Sequence, residues 1–414
     1  MNTSNDTPEP DRAVPAHIDL DDSNDSNDSM RTIYRLAPRD EEQALLDVAS
    51  DYLESLLGKE DYNQRQSPHL RIAAVSTGRG QAAEAIAREF PSTNVLLWYI
   101  DLFHQQRSVQ HCQIDGSENV SQVPSNLSVR CLADLPEEKL DLAIVPLPHR
   151  GEQELTRDYL QQCYDRLEVG GTLIASVDNP KDKWLHDQLK LYEKSVRVRE
   201  HKEARVYLVE KTKPLKKLKD FRCELAFRDC DELVQLVTRP GVFSHRQLDN
   251  GARQLLDAVD VYPEARLIDI GCGSGSVSLG LAMRDSAATI HAVDSNARAI
   301  WCVEQGAAKN NLKNITTELN ANGDYTQPGT FDMALTNPPY FGDFQIAEKL
   351  VLAALRSLRS GGRLVLVTKQ PSWYQENLPR WFQDCEVFPS GRYHIASGIK
   401  PSSQTPPTPL TTIG

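Results

Sequence analysis

The sequence predicts an α/β fold in which one strand-and-helix unit is written twice. Three observations predict it: apolar runs of strand length alternate with helical patterns, two of these runs recur at a fixed offset, and the most strongly marked ones open into glycines or end in prolines. Such ends are typical of strands at the carboxyl edge of a parallel sheet, where open α/β folds bind ligands. Leu140-Asp141-Leu142-Ala143-Ile144-Val145-Pro146-Leu147-Pro148 aligns with Phe331-Asp332-Met333-Ala334-Leu335-Thr336-Asn337-Pro338-Pro339 at an offset of 191 residues. The stretch Leu167 to Leu173, with its paired glycines, aligns with Leu358 to Leu364 at the same offset, and Arg71 to Gly80 aligns with Arg266 to Gly275 at 195. A chain of 414 residues with 40% apolar composition is too long for one ordinary core and sufficient for two.

Composition sets the outer boundaries. The net charge is −12, and −7 of it lies between Met1 and Ser29, where eight acids face only Arg12. With few hydrophobes and a repeated Asp-Ser-Asn pattern, residues 1–30 read as a disordered acidic tail, and the Pro/Thr/Ser-rich residues 401–414 read the same way. The first unit is then expected over 31–212 and the second over 213–400. No apolar run approaches the ~18 residues of a membrane span and the polar N-terminus has no signal-peptide pattern, so a cytoplasmic protein is expected. The eight cysteines show no C-x-x-C pair, which points to buried thiols and no metal site. Lys211, Lys213, Lys216, Lys217 and Lys219, preceded by Arg197, Arg199, Lys202 and Arg205, form a basic stretch between the units. It reads either as a phosphate-contacting patch or as a solvated linker.

Candidate site residues cluster in the second unit. Leu267-Ile268-Asp269-Ile270-Gly271-Cys272-Gly273-Ser274-Gly275 reads as strand, tight turn and helix start. Its G-x-G-x-G spacing differs from the dinucleotide and phosphate-loop patterns, which argues against a pyrophosphate ligand. Ile290 to Asp294 is a second strand ending in an acid, placed either to accept hydrogen bonds from a ribose diol or to cap a helix with Asn296. Asn337-Pro338-Pro339-Tyr340 follows a third strand. Two prolines fix the backbone, so the Asn amide and neighbouring carbonyls become acceptors of set direction beside an aromatic ring, an arrangement suited to a planar –NH2 group.

On these residues the region from about 262 to 398 resembles a Rossmann-like class I S-adenosylmethionine-dependent methyltransferase of the group that methylates exocyclic or amide nitrogens. Arg239-Pro240-Gly241-Val242-Phe243-Ser244, followed by Leu248-Asp249-Asn250-Gly251-Ala252-Arg253, is similar to the segment preceding the glycine loop in the tandem-domain ribosomal RNA (guanine-N2)-methyltransferases. The resemblance implies S-adenosyl-L-methionine as cofactor and ribosomal RNA or a ribosomal subunit as partner. It also implies residue roles: Asp269 at the methionine end of the cofactor, Gly271, Gly273 and Gly275 for close backbone approach, Asp294 on the ribose, and Asn322 against the adenine. Asn337, Pro338, Pro339 and Tyr340 would be catalytic. Asn322 reads equally as a turn residue in Ala321-Asn322-Gly323. The family usually has Phe then His after the two prolines, where Tyr340 and Phe341 stand here.

Comparison of the two units predicts a division of labour. Asp269, Gly271, Asn337 and Tyr340 correspond to Ala74, Ser76, Pro146 and His149, so the first unit is expected to be a degenerate methyltransferase-like domain kept for packing or RNA docking. It keeps Gly78, Gly80 and an acid at Asp101, which leaves residual cofactor affinity open. Two further readings share parts of the pattern: a glutamine methyltransferase acting on release factors, and a non-catalytic RNA-binding relative.

Overall fold

The computed structural model describes residues 37–58, 69–113, 122–323, 325, 327–339 and 344–402, so the acidic tail 1–30 and all of the C-terminal tail after 402 fall outside the described residues. The first unit contains α1 (Asp40–Leu57), β1 (Leu70–Val75), α2 (Gln81–Glu89), β2 (Thr93–Tyr99), α3 (Leu102–Gln113), β3 (Leu127–Cys131), β4 (Leu140–Leu147), α4 (Gln153–Arg166), β5 (Leu167–Val177), α5 (Trp184–Leu189), β6 (Arg197–Glu200) and β7 (Arg205–Glu210). A hairpin follows, β8 (Cys223–Asp229) and β9 (Glu232–Thr238). The second unit contains α6 (Asn250–Asp257), β10 (Arg266–Ile270), α7 (Ser276–Arg284), β11 (Thr289–Asp294), α8 (Ala297–Lys309), β12 (Ile315–Leu319), β13 (Phe331–Thr336), α9 (Gln345–Ser357), β14 (Leu358–Thr368), α10 (Pro371–Asn377), β15 (Gln383–Ser390) and β16 (Tyr393–Ile399).

Each unit builds a seven-stranded sheet, in the orders β3-β2-β1-β4-β5-β7-β6 and β12-β11-β10-β13-β14-β16-β15. In both, five parallel strands are closed by an antiparallel pair. The central strands are almost continuously apolar because helices cover both faces. In the first unit α1 and α2 pack on one face and α4 and α5 on the other, and in the second α6 and α7 oppose α9 and α10.

Strand register corrects one correspondence drawn from the sequence. Val75 pairs with Trp98 as Ile270 pairs with Val293, so Tyr99, not Asp101, occupies the position of Asp294. The Tyr99 hydroxyl donates to the Gly78 carbonyl at 3.2 Å, and burial holds its phenol neutral. The rest of the first unit's glycine loop is filled from α1. Ser76 donates to the buried Glu42 carboxylate at 3.0 Å and accepts from the Gly78 amide, while the Arg39 guanidinium lies 3.6 Å from where a Cβ on Gly78 would project. Side chains of this chain therefore crowd the loop that in the second unit stands open beside Gly271.

Asp101 belongs instead to the junction between the units. Its backbone bridges Asn296, and two hydrogen bonds flank that bridge: Leu102 N to Ser295 O at 2.8 Å and Ala297 N to Ile100 O at 2.7 Å. Residues 100–102 and 295–297 are equivalent in the repeat, so each bond is the counterpart of the other and the units dock about a local pseudo-twofold axis. Arg298 lies fully buried beside it, ion-paired to Asp158 at 2.7 Å and donating to the carbonyls of Ala133 and Pro240. Arg239 pairs with Asp134 across the same junction.

Two other expectations change. Lys211 leaves the basic stretch, because its ammonium is buried and donates to the carbonyls of Tyr164, Asp165 and Leu167, while Lys213, Lys216, Lys217 and Lys219 are exposed. The cysteines are free thiols, but only Cys112, Cys163, Cys272 and Cys302 are buried and Cys230 is exposed. With Glu42, Ser76 and Tyr99 filling the first loop, calorimetric titration of the whole chain is expected to give one S-adenosylmethionine per chain. Two sites would contradict the occlusion.

Candidate active site

The carboxyl ends of β10, β11 and β13 converge on the glycine loop. Gly271, Gly273 and Gly275 all have positive φ (75°, 55° and 83°), a region that favours glycine. The reasons for the two end glycines differ. A Cβ on Gly275 would sit 2.9 Å from Val303 Cγ2, so that glycine lets α7 pack against α8, whereas a Cβ on Gly271 would meet nothing within 4 Å. The space beside Gly271 is open at the strand edge and leaves room for a bound molecule to approach the backbone.

Asp294 clamps this loop. One carboxylate oxygen accepts from Gly273 N and the other from Asn296 N, each at 2.8 Å. A carboxylate has about four lone-pair directions, so two remain for ligand hydroxyls. The capping role that competed for Asp294 falls to Asn296, whose side chain accepts from Arg298 N at the start of α8. Asp269 is buried under the loop and accepts from the Ser278 hydroxyl. Burial pushes both carboxyls up to about 6, with the Ser278 hydrogen bond restraining Asp269 and backbone amides restraining Asp294; the charge of Asp294 adds to the rise at Asp269, and that of Asp101 to the rise at Asp294. Asn322 lies exposed in a turn just after β12, its backbone N–H donating to Asn320 Oδ1 at 2.8 Å, while Asn320 N donates to the Asp294 carbonyl.

Asn337 stands at the end of β13, which Thr336 ties to β10 by donating to the Ile270 carbonyl at 2.8 Å. Its Nδ2 donates to Asp249 Oδ2 at 2.8 Å. The same oxygen accepts from Ala252 N and caps α6. Gly251 permits this approach, since a Cβ there would lie 2.8 Å from Asp249 Oδ2 and 3.1 Å from Asn337 Oδ1. Pro338 is buried and Pro339 half-buried, and Tyr340 lies outside the described residues.

Three residues at this site were given no role by sequence reasoning: Asp249, Gly251 and Phe243. Phe243, 62% exposed, has its Cβ 3.9 Å from the Cβ position of Gly273. All three lie in the two short segments before the glycine loop that carried the narrower resemblance. The signal was present, but nothing local says that a helix cap should grip a side chain 88 residues on.

A strand-edge glycine loop that leaves backbone room, a clamped acid with acceptor capacity and an oriented Asn-Pro-Pro amide fit S-adenosylmethionine and a planar amine. The fold is that of a class I S-adenosylmethionine-dependent methyltransferase, and residues 233–397 match the family model of the methyltransferase small domain. The chain is similar to proteins named ribosomal RNA small subunit methyltransferase C. It is 28% identical over 262 residues to the one from Pseudomonas entomophila (strain L48), covering 61% of this chain and 77% of that relative. It is 35% identical over 162 residues to the one from Chromohalobacter salexigens, covering 36% of this chain and 45% of that relative. Several such matches thus span about half of the relative's length. Among solved structures, the T. thermophilus 16S rRNA N2 G1207 methyltransferase (RsmC) in complex with AdoMet and guanosine superposes with a TM-score of 0.65 at 21% identity, over 84% of this chain and 92% of that one, showing a shared two-domain fold.

Two outcomes follow from the geometry. Asp249→Ala removes the partner that orients Asn337, and turnover is expected to fall about 10-fold or more with cofactor affinity near normal; unchanged turnover would reduce Asp249 to a helix cap. As pH falls through about 6, Asp269 and Asp294 gain protons and lose the charge that ligand donors would meet. Cofactor affinity is therefore expected to drop between pH 7 and 5, with proton release on binding near pH 6, read by calorimetry in buffers of different ionisation enthalpy. For the free protein the sign is opposite. The folded values lie above the ordinary carboxylate value of 3.8, so these two groups contribute most stability below about 4 and lose that contribution as pH rises through about 6.

Proposed function

We infer that this protein transfers a methyl group from S-adenosylmethionine to the exocyclic N2 amine of a guanine in small-subunit ribosomal RNA, in the cytoplasm. The observation that carries this reading is the Asn337 amide gripped by Asp249 at the strand edge beside the glycine loop, in a chain whose relatives bear a ribosomal RNA methyltransferase name. Among the described residues no helix is long and apolar enough to cross a membrane.

The cofactor brings a methyl already activated on a sulfonium, so the chain's task is alignment. Asp269 and Asp294 meet the cofactor's donors, and the loop from Gly271 to Gly275 lets the backbone approach closely. Asn322, in the exposed turn after β12, would lie against the adenine. An aromatic exocyclic amine is delocalised into its ring and poorly nucleophilic. Because Asn337 Nδ2 donates to Asp249, the amide orientation is set, and Oδ1 with the Pro338 carbonyl would accept the two amine hydrogens. Accepting them favours a pyramidal nitrogen and stabilises the positive charge that develops there. The role of Tyr340 is to stack on the base, which must leave its helix or loop to reach the site.

Methyl transfer from labelled cofactor onto undermodified small ribosomal subunits is the test, with large subunits and release factor in parallel. Label is expected in the small-subunit RNA, and Asn337→Ala is expected to lower its rate about 10²-fold or more with folding and cofactor binding largely intact. Label on release factor alone would overturn the reading.

A further inference from the structure

The first unit has lost its cofactor space but keeps a cavity at its other strand-edge position. A hollow of about 260 Å³ lies between the loop after β4 and the loop after β5, lined among others by Pro148, His149, Gln153, Thr156, Asn179 and Trp184. Register places this hollow where the second unit carries its Asn-Pro-Pro-Tyr run: Ala143 pairs with Leu173 as Ala334 pairs with Leu364, which sets Pro148 at the position of Pro339 and His149 at that of Tyr340. We propose that this hollow is a second nucleobase site, in which the first unit holds an unpaired base of the same RNA without modifying it.

Size, shape and charge support that occupant. The volume is below the ~300–1,000 Å³ of sites for drug-sized ligands, so it suits one base better than a whole cofactor. Two flat rings contribute to the lining. His149 is held by Asp178, which accepts from its backbone amide and lies 3.0 Å from its Nδ1, and Trp184 is half-buried under the Arg157 guanidinium at 5.4 Å. Aromatic faces accept any base by stacking. Gln153, Thr156 and Asn179 supply polar groups for a base edge. On the same two loops Arg150, Lys181 and Lys183 are exposed cations suited to the adjoining phosphates, while Asp182 is buried and engaged with Tyr207 and the Leu185 amide. The hollow is also linked to the other unit. Glu152 and Glu154, on either side of Gln153, bind Gly241 N and Arg246 in the segment that reaches the glycine loop through Phe243.

This inference rests on the RNA reading above, and the test separates the two. His149→Ala and the double variant Lys181→Glu/Lys183→Glu are assayed on undermodified small subunits together with His149→Tyr, which restores a stacking ring. The KM for RNA is expected to rise about 5- to 150-fold in His149→Ala, the range for one lost stacked base, with kcat and cofactor affinity unchanged and His149→Tyr near the parent. Photo-crosslinking to RNA containing 4-thiouridine is expected to label the peptides bearing His149 or Trp184. Crosslinking at those peptides without methylation would support the hollow and sink the RNA-methylation reading. Methylation with an unchanged KM in His149→Ala and no crosslink there would overturn the hollow and leave that reading standing.

Discussion

The buried pairing of Arg298 with Asp158 is the constraint on which the rest of this molecule depends. Arg298 sits in the first turn of α8, directly after the Asp294-to-Asn296 corner, and its guanidinium crosses into the first unit, where Asp158 on α4 receives it. A buried pair of this kind contributes little net stability over a well-packed apolar contact, but loss of one partner leaves an uncompensated charge and costs about 3–5 kcal/mol. The arrangement therefore specifies how the units dock. The first unit has Phe103 at the equivalent position, so this pairing departs from the pseudo-twofold symmetry set by Asp101 and Asn296.

Docking in turn shapes the candidate site. Asn296 caps α8, donates to the Gly241 carbonyl and passes an amide to Asp294, so one residue connects the junction, the preceding segment and the cofactor clamp. Gly241 needs its positive φ and small size here, since a Cβ would lie 2.7 Å from Ile100 Cδ1. With Gly241 fixed against the first unit, the chain delivers Phe243 to the glycine loop and Asp249 to Asn337. The first unit thus helps to set the geometry of the second unit's candidate site.

The first unit shows what fills the equivalent loop when other side chains surround it. Of its glycine loop only the last position keeps the backbone shape, with Gly80 at φ 73° starting α2 as Gly275 starts α7, while Ser76 and Gly78, at the positions of Gly271 and Gly273, do not have positive φ. The surrounding side chains changed: the Asp294 position became Tyr99, the Gly271 position became Ser76, and both now bond within the protein in a pocket closed by α1.

Much of this was legible in the sequence because local patterns carry it. Strand periodicity, the glycine run from Gly271 to Gly275 and the prolines after Asn337 each impose a backbone shape by themselves, and their order along the chain fixes an α/β unit with a ligand edge. The repeat was legible for the same reason. What only the tertiary structure decided depends on contacts between residues far apart in the chain. Tyr99 rather than Asp101 matches Asp294 because strand register, not spacing to the nearest acid, sets equivalence. Lys211 left the basic stretch because three carbonyls from the end of α4 and the start of β5 surround it, and Asp249 became the partner of Asn337 because α6 packs its first turn against the end of β13. A sequence shows which side chains are available, but packing decides which of them meet.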